Sequence, residues 1–239
     1  MSLWTDHFSS FDWHSKPTLP NRFDCQSNLR PPVGETASRL AYIQKSEAHI
    51  LHGRLISTHS LTMRIDVTSD IYLSAITASD ADDLMNHLQY PDVSRHMLLL
   101  PHPYTLQMAL QWIEHATGDV QRNGRPTIWA IRDASGSMIG EIELHKGLPA
   151  REHVSDIGYW LAKSHWGRGI MTNVVKTIVE VAFREFGVQR ITAPIFAQNI
   201  ASARVLEKNG FVIEATCLRR AYQRNGQFYD ATLYALVRD

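Results

Sequence analysis

The residues Trp166-Gly167-Arg168-Gly169-Ile170-Met171 place two glycines around an arginine just where an amphipathic helix is expected to begin. A helix start leaves backbone N–H groups without partners and carries the positive end of the helix dipole, so it favours a phosphate or pyrophosphate. Glycine takes positive φ and lets a ligand approach the backbone, and the Arg168 guanidinium adds a charged fork. Such a turn is also a common structural device, so its setting decides how it is read. The strand predicted over Asp156-Ile157-Gly158-Tyr159-Trp160-Leu161 precedes it, and groups beyond the phosphates can run along that strand's edge. Asn199 and Ser202 stand at the N-terminus of the next helix, beside the same crevice. Ligands of open α/β sheets bind outside the carboxyl ends of the strands.

Elements that position these residues can be read from Ile71 onward. Ile71 to Ile76 is a short apolar strand. Ser79 or Asp80 is expected to cap a helix with Ala81, Leu84, Met85 and Leu88 on one face, ended by Pro91. Thr105 caps a second helix with Ala109, Trp112, Ile113 and Ala116 inward. Thr127 to Arg132 and Met138 to His145 flank the turn Ala134-Ser135-Gly136-Ser137, a hairpin pattern. His153 to Leu161 is a strand, and Gly169 to Phe186 a helix whose apolar positions recur at 3.6-residue spacing up to the stop at Gly187. Arg190 to Phe196 is a strand, Asn199 caps a short helix ended by Gly210, and Phe211 to Thr216 and Gln227 to Val237 close the domain as strands. The order βααβββαβαββ implies an α/β domain with a mixed sheet, its antiparallel part first.

Residues 1–68 read differently. Pro17, Pro20, Pro31 and Pro32, many Ser and Thr, and no sustained period point to an irregular extension ahead of a domain over 69–239, in which only Ala37 to Leu51 fits a short helix. Its five histidines (His7, His14, His49, His52, His59) have no ligand spacing. Asp6, Asp12 and Asp24 argue against a transit peptide, and Met63 is a candidate alternative start.

The 239 residues are enough for a sizeable core, and 44% hydrophobic with 20% charged residues is ordinary for a globular protein. Formal net charge is zero, which speaks against nucleic acid as a partner. No apolar run approaches the roughly 18 residues of a membrane span. Cys25 and Cys217 form neither a disulfide framework nor a metal spacing, which fits a reducing, cytoplasmic compartment and no metal.

From about Arg64 to Asp239 the chain resembles the GNAT superfamily of N-acetyltransferases, of the ribosomal-protein-alanine acetyltransferase type. The likeness rests on Asp156-Ile157-Gly158-Tyr159-Trp160-Leu161, on His165 to Met171, and on Asn199-x-x-Ser202 through Gly210-Phe211, with support from Leu218-Arg219-Arg220 and Gly226-Gln227-Phe228-Tyr229-Asp230. It implies a GNAT-like mixed, mostly antiparallel central sheet flanked by helices, with acetyl-CoA as co-substrate. In similar proteins the pyrophosphate lies on Trp166, Gly167, Arg168, Gly169, Ile170, Met171 and Thr172. The pantetheine arm pairs with the backbone at Trp160 and Leu161, and Asn199 contacts its amide region. Met171 departs from the family pattern, which has Gly or Ala there, so its side chain must point away from the phosphates.

The implied reaction needs a neutral amine to attack the thioester, a stabilised oxyanion, and a proton for the departing thiolate. A main-chain amine, with a pKa of about 7.7–8.0 against roughly 10.4 for lysine, is partly neutral at pH 7 and needs only a weak base. Asp156 is the first candidate, at a position where relatives carry Glu; the shorter side chain calls for a bridging water. Glu141 is the second, on a strand expected beside that of Asp156 and sharing a face with Glu143. The tyrosine that some relatives use as the thiolate's acid is Leu206 here, which leaves Ser202 as the hydroxyl near the thioester. Each has a structural alternative: Asp156 can satisfy edge backbone groups, Glu141 can be a solvated strand position, and Ser202 can merely start a helix. Tyr159 and Trp160 read as wall and core, and His165 as a loop contact.

The resemblance implies direct transfer from acetyl-CoA to a primary amine in a ternary complex, by a monomer or homodimer, with a protein N-terminal α-amine preferred over small amines. The alternative is a non-catalytic acyl-CoA-binding or interaction module with the same fold.

Overall fold

The computed structural model describes residues 64–238 apart from 99, 124 and 148. The expectations for the extension up to residue 63, including its helix, its histidines, Cys25 and Met63, lie outside the described residues. The chain runs β1 (Ile65–Asp66), β2 (Ile71–Ser74), α1 (Ala81–Leu88), α2 (Pro91–Ser94), α3 (Leu106–Asn123), β3 (Ile128–Asp133), β4 (Met138–Lys146), β5 (Val154–Leu161), α4 (Ile170–Glu185), β6 (Arg190–Phe196), α5 (Ile200–Lys208), β7 (Val212–Arg224) and β8 (Gln227–Val237). The strands form one eight-stranded sheet in the order β1-β2-β3-β4-β5-β6-β8-β7. Every neighbouring pair is antiparallel except β5 and β6.

The expected succession is present with three differences. Residues just before the expected boundary at 68 are tied into the sheet: Ile65 pairs with Leu73, and Val67 and Thr68 both donate to the Ile71 carbonyl. α1 ends at Leu88, ahead of Pro91 as expected, but Pro91 itself opens a further short helix, α2, because proline at a first helical position gives up an N–H that would have no partner anyway. The strand expected to stop at Thr216 continues to Arg224, with left-handed Cys217 and Arg220 and register shifts that let β7 follow β8 to the hairpin tip.

Capping at α1 also differs. Asp80 stands at the N-cap without a side-chain cap bond. Its carboxylate instead takes the Thr77 backbone N–H at 2.7 Å and forms a bidentate pair with Arg132 of β3, at 2.6 and 2.8 Å. Arg132 also donates to Ser74 Oγ and to the Ala75 and Gly136 carbonyls, so the charges are buried with full hydrogen bonding.

Side chains alternate across the sheet and build a core on each face. On one face Trp129, Ile131, Ile142, Leu144, Ile157 and Leu161 pack against Ile170, Met171, Val174, Val175 and Ile178 of α4. On the other, Ile128, Ala130, Met138 and Trp160 pack against Leu84 and Leu88 of α1 and Ala109 and Ile113 of α3.

Candidate active site

The parallel pair β5–β6 is where the sheet opens. The strands are in register only over Val154↔Arg190, Ser155↔Ile191 and Asp156↔Thr192. Beyond that point β5 keeps its ladder to β4 as far as Leu161, and β6 keeps its ladder to β8 as far as Phe196. Each strand stays anchored on its outer edge while the inner edges part, leaving a fork whose crotch is Asp156 and Thr192.

At the mouth of the fork, β5 leads through residues 162–169 into α4. Gly167 (φ 73°) and Gly169 (φ 75°) are left-handed, and Gly169 is the N-cap of α4. A Cβ at either would meet nothing within 4 Å, so backbone conformation demands glycine there and the space before the turn is open. The Trp166 indole N–H donates to the Leu161 carbonyl at 2.7 Å, tying the turn to the end of β5. The helical ladder begins with the Asn173 N–H on the Gly169 carbonyl at 3.2 Å, so the N–H groups of Ile170, Met171 and Thr172 precede it. Ile170 and Met171 bury their side chains in the α4 core and keep only backbone at the surface of the turn. Arg168 is exposed. Burial first, then the nearby Arg168 charge, pulls the His165 imidazole below its ordinary value, so this loop histidine favours the neutral form at pH 7.

The start of α5 forms the other lip. Asn199 Oδ1 accepts the Ser202 N–H at 3.2 Å, and the Tyr159 hydroxyl donates to the Ser202 carbonyl at 3.4 Å. Asn209, at the far end of α5, donates to the carbonyls of Val205 (2.8 Å) and Thr172 (3.2 Å) and so fastens α5 to the first turn of α4. Nothing in the local pattern distinguishes Asn209 from an ordinary helix-ending residue. Leu206 is fully buried in the core and presents nothing to the fork.

The structure brings Asp156 and Ser202 to the fork from opposite faces of the sheet. Ile157, Tyr159 and Leu161 face α4 and α5, whereas Asp156 and Trp160 face the α1–α3 side. The Asp156 carboxylate accepts a hydrogen bond from the Thr192 hydroxyl of β6. Glu141 lies opposite Trp160, and four residues of β4, about 13 Å, separate it from His145, which lies opposite Asp156. Glu141 is not the solvated strand position considered from sequence. It is buried (3% exposed) and accepts a hydrogen bond from Trp112 Nε1 of α3 at 2.8 Å. Burial, then the Glu143 carboxylate, lifts the Glu141 carboxyl to about 8. Glu141 thus changes charge near neutrality, but under α3 and away from the crotch.

Among the described residues, no group of three or more His, Cys, Asp or Glu side chains could hold a metal ion, and no helix is long and apolar enough to cross a membrane. The open turn with its free N–H groups, the charged Arg168 and the parted strand edges fit a long phosphorylated thioester: anion on the turn, extended arm in the fork.

A family model described as an acetyltransferase (GNAT) domain matches residues 70–212. The uncharacterized N-acetyltransferase YoaA of Bacillus subtilis is 30% identical over 172 residues, which cover 72% of this chain and 95% of YoaA. The L-amino acid N-acetyltransferase AaaT of Escherichia coli is 27% identical over 171 residues, covering 71% of this chain and 99% of AaaT. The ribosomal L7/L12 alpha-N-protein acetyltransferase RimL, solved in complex with coenzyme A, superposes with a TM-score of 0.65 at 22% identity, over 74% of this chain and 99% of that one.

Proposed function

Because the chain belongs to the GNAT family of N-acetyltransferases, we propose that it transfers an acetyl group from acetyl-CoA to a primary amine by direct attack within a ternary complex. The observation that carries this reading is the fork between β5 and β6, open beside the two left-handed glycines at the start of α4. The backbone N–H groups from Gly167 to Thr172 and the Arg168 guanidinium would hold the pyrophosphate, and β5 up to Trp160 and Leu161 would align the pantetheine arm. Asn199 and Ser202 would meet it from the α5 side.

The acceptor nitrogen attacks the thioester carbonyl, Asp156 takes the amine proton through a water, and the C–S bond breaks as the amide forms. The departing thiolate takes a proton at the fork, where Ser202 is the candidate donor; Ser202 recovers a proton from solvent and Asp156 gives its own up to solvent. Asp156 suits the base role because Thr192 holds its carboxylate at the crotch, while Glu141 is the second candidate. The preferred acceptor is a protein N-terminal α-amine, which is neutral enough near pH 7 for a weak base to suffice. The RimL likeness supports that choice, and the AaaT likeness supports small amines as the alternative.

The test is thiol release from acetyl-CoA by the full chain against a panel of peptide N-termini, free amino acids and small amines. Turnover on α-amine peptides is expected. Turnover on free amino acids alone overturns the protein N-terminus, and no turnover on any amine overturns the transferase reading.

A further inference from the structure

The sheet face beneath α1 and α3 carries a row of ionisable side chains that the mechanism above leaves largely unused. Glu141, Glu143 and His145 alternate with the core residues Ile142 and Leu144, so all three project to the same side of β4. Their partners on β5 are Trp160, Gly158 and Asp156 in turn, and Asp156 pairs onward with Thr192 of β6. Glu143 is buried, and the glycine opposite it makes the room: a Cβ at Gly158 would come within 2.7 Å of Glu143 Oε1. Glu143 Oε2 lies 3.3 Å from His145 Nε2. The row thus runs from beneath α3 to the crotch of the fork.

We propose that His145 is a positioning residue for Asp156: held by Glu143 on its own strand and facing Asp156 across the β4–β5 ladder, its ring fixes that carboxylate against Thr192 at the crotch. The inference rests on the reading of Asp156 as the base. Two buried carboxylates beside a half-buried imidazole on one strand are costly unless they are paired: Glu141 accepts from Trp112, and Glu143 lies within ion-pair distance of His145. Burial by itself would strip the proton from His145. The carboxylates of Glu143, Asp156 and Glu141 outweigh burial and raise the ring to about 9, so it is a cation near neutral pH.

Other charged or titratable groups surround the row. Arg190 of β6 and Tyr222 of β7 lie within electrostatic reach of Asp156, and Tyr104 within that of Glu141. From α3 come His115, stacked on Trp112, and Asp119, which accepts from Thr127. With its proton, both ring nitrogens of His145 can donate, one toward Glu143 and one toward Asp156 across the ladder; without it, only one of them can.

The test is an NMR titration of the histidine rings in the full chain, with His145 assigned from the His145→Asn spectrum, alongside the pH dependence of kcat. His145 is expected to titrate well above an ordinary histidine and to fall by at least about one unit in Glu143→Gln. The alkaline limb of the kcat profile should move down in pH with it. His145→Asn should lower kcat about tenfold to a hundredfold with the KM for acetyl-CoA unchanged, the signature of a misplaced group. An ordinary His145 titration in the unaltered chain overturns the proposal, and this readout needs no variant to fold. A raised titration with an alkaline limb that Glu143→Gln leaves in place also overturns it, because a purely structural ring would behave that way. Full turnover in Asp156→Asn removes the base reading and the proposal with it, whereas a loss in Asp156→Asn with an ordinary His145 titration sinks the proposal alone.

Discussion

Asn209 Nδ2 donates to the Thr172 carbonyl at 3.2 Å, a bond across 37 positions of sequence that ties the end of α5 to the first turn of α4. The same amide holds the Val205 carbonyl at 2.8 Å, so one side chain sets the spacing between the two lips of the fork. Asn209→Ala removes both bonds and is expected to cost about 1–3 kcal/mol of stability. The KM for acetyl-CoA should rise several-fold with kcat nearly unchanged. Denaturant unfolding and initial-rate kinetics check this, and an unchanged KM would show that the lips hold their spacing without Asn209.

Arg168 stands on an open turn whose glycines have free space before them. Arg168→Glu sets a like charge beside the pyrophosphate, so acetyl-CoA affinity should drop about tenfold or more, an effect that shrinks as salt rises. Calorimetric titration at two ionic strengths measures it. Equal affinity in the variant would place the phosphates elsewhere.

Asp156→Asn keeps the shape at the crotch, and the Thr192 bond, but cannot take a proton. Turnover at pH 7 should fall about 10²–10⁴-fold, with a much smaller change in acetyl-CoA affinity. The defect should narrow as pH rises and more of the acceptor amine becomes neutral unaided. Glu141→Gln, buried under Trp112, should be milder. The reverse ranking in paired pH–rate profiles would move the base to β4.

The buried row also predicts how stability follows pH. Burial, then Glu143, raises Glu141 from 4.5 to about 8; at His145 the carboxylates overcome burial and raise the ring from 6.5 to about 9. Both groups hold protons more tightly folded than unfolded, so the folded state binds more protons between those values. The stabilisation is full below the unfolded values and is lost as pH climbs through the folded ones. Denaturant midpoints should therefore decline between about pH 5 and 9. Glu141→Gln should flatten the part between 4.5 and about 8. A wild-type curve that rises across this range would mean that Glu141 and His145 do not hold their protons more tightly in the folded state.

Sequence by itself determined what is local. Gly167 and Gly169 before a 3.6-residue apolar period placed the start of α4, and the Asn199 cap and the hairpin turn around Gly136 were readable because each depends on residues a few positions apart. Motif order was enough to suggest the fold class. Tertiary structure alone decided where β5 and β6 part, since that register depends on strands paired across a helix. It also decided that Asp156 and Ser202 approach the fork from opposite faces, that Glu141 lies buried beneath Trp112, and that β7 runs on to Arg224. His145 shows the reason most directly. Its charge is set by Glu143, two residues away, and by Asp156, which sequence separates and only the β4–β5 ladder brings alongside. Burial and long-range pairing fix the state of such a group, and neither is written in its neighbours along the chain.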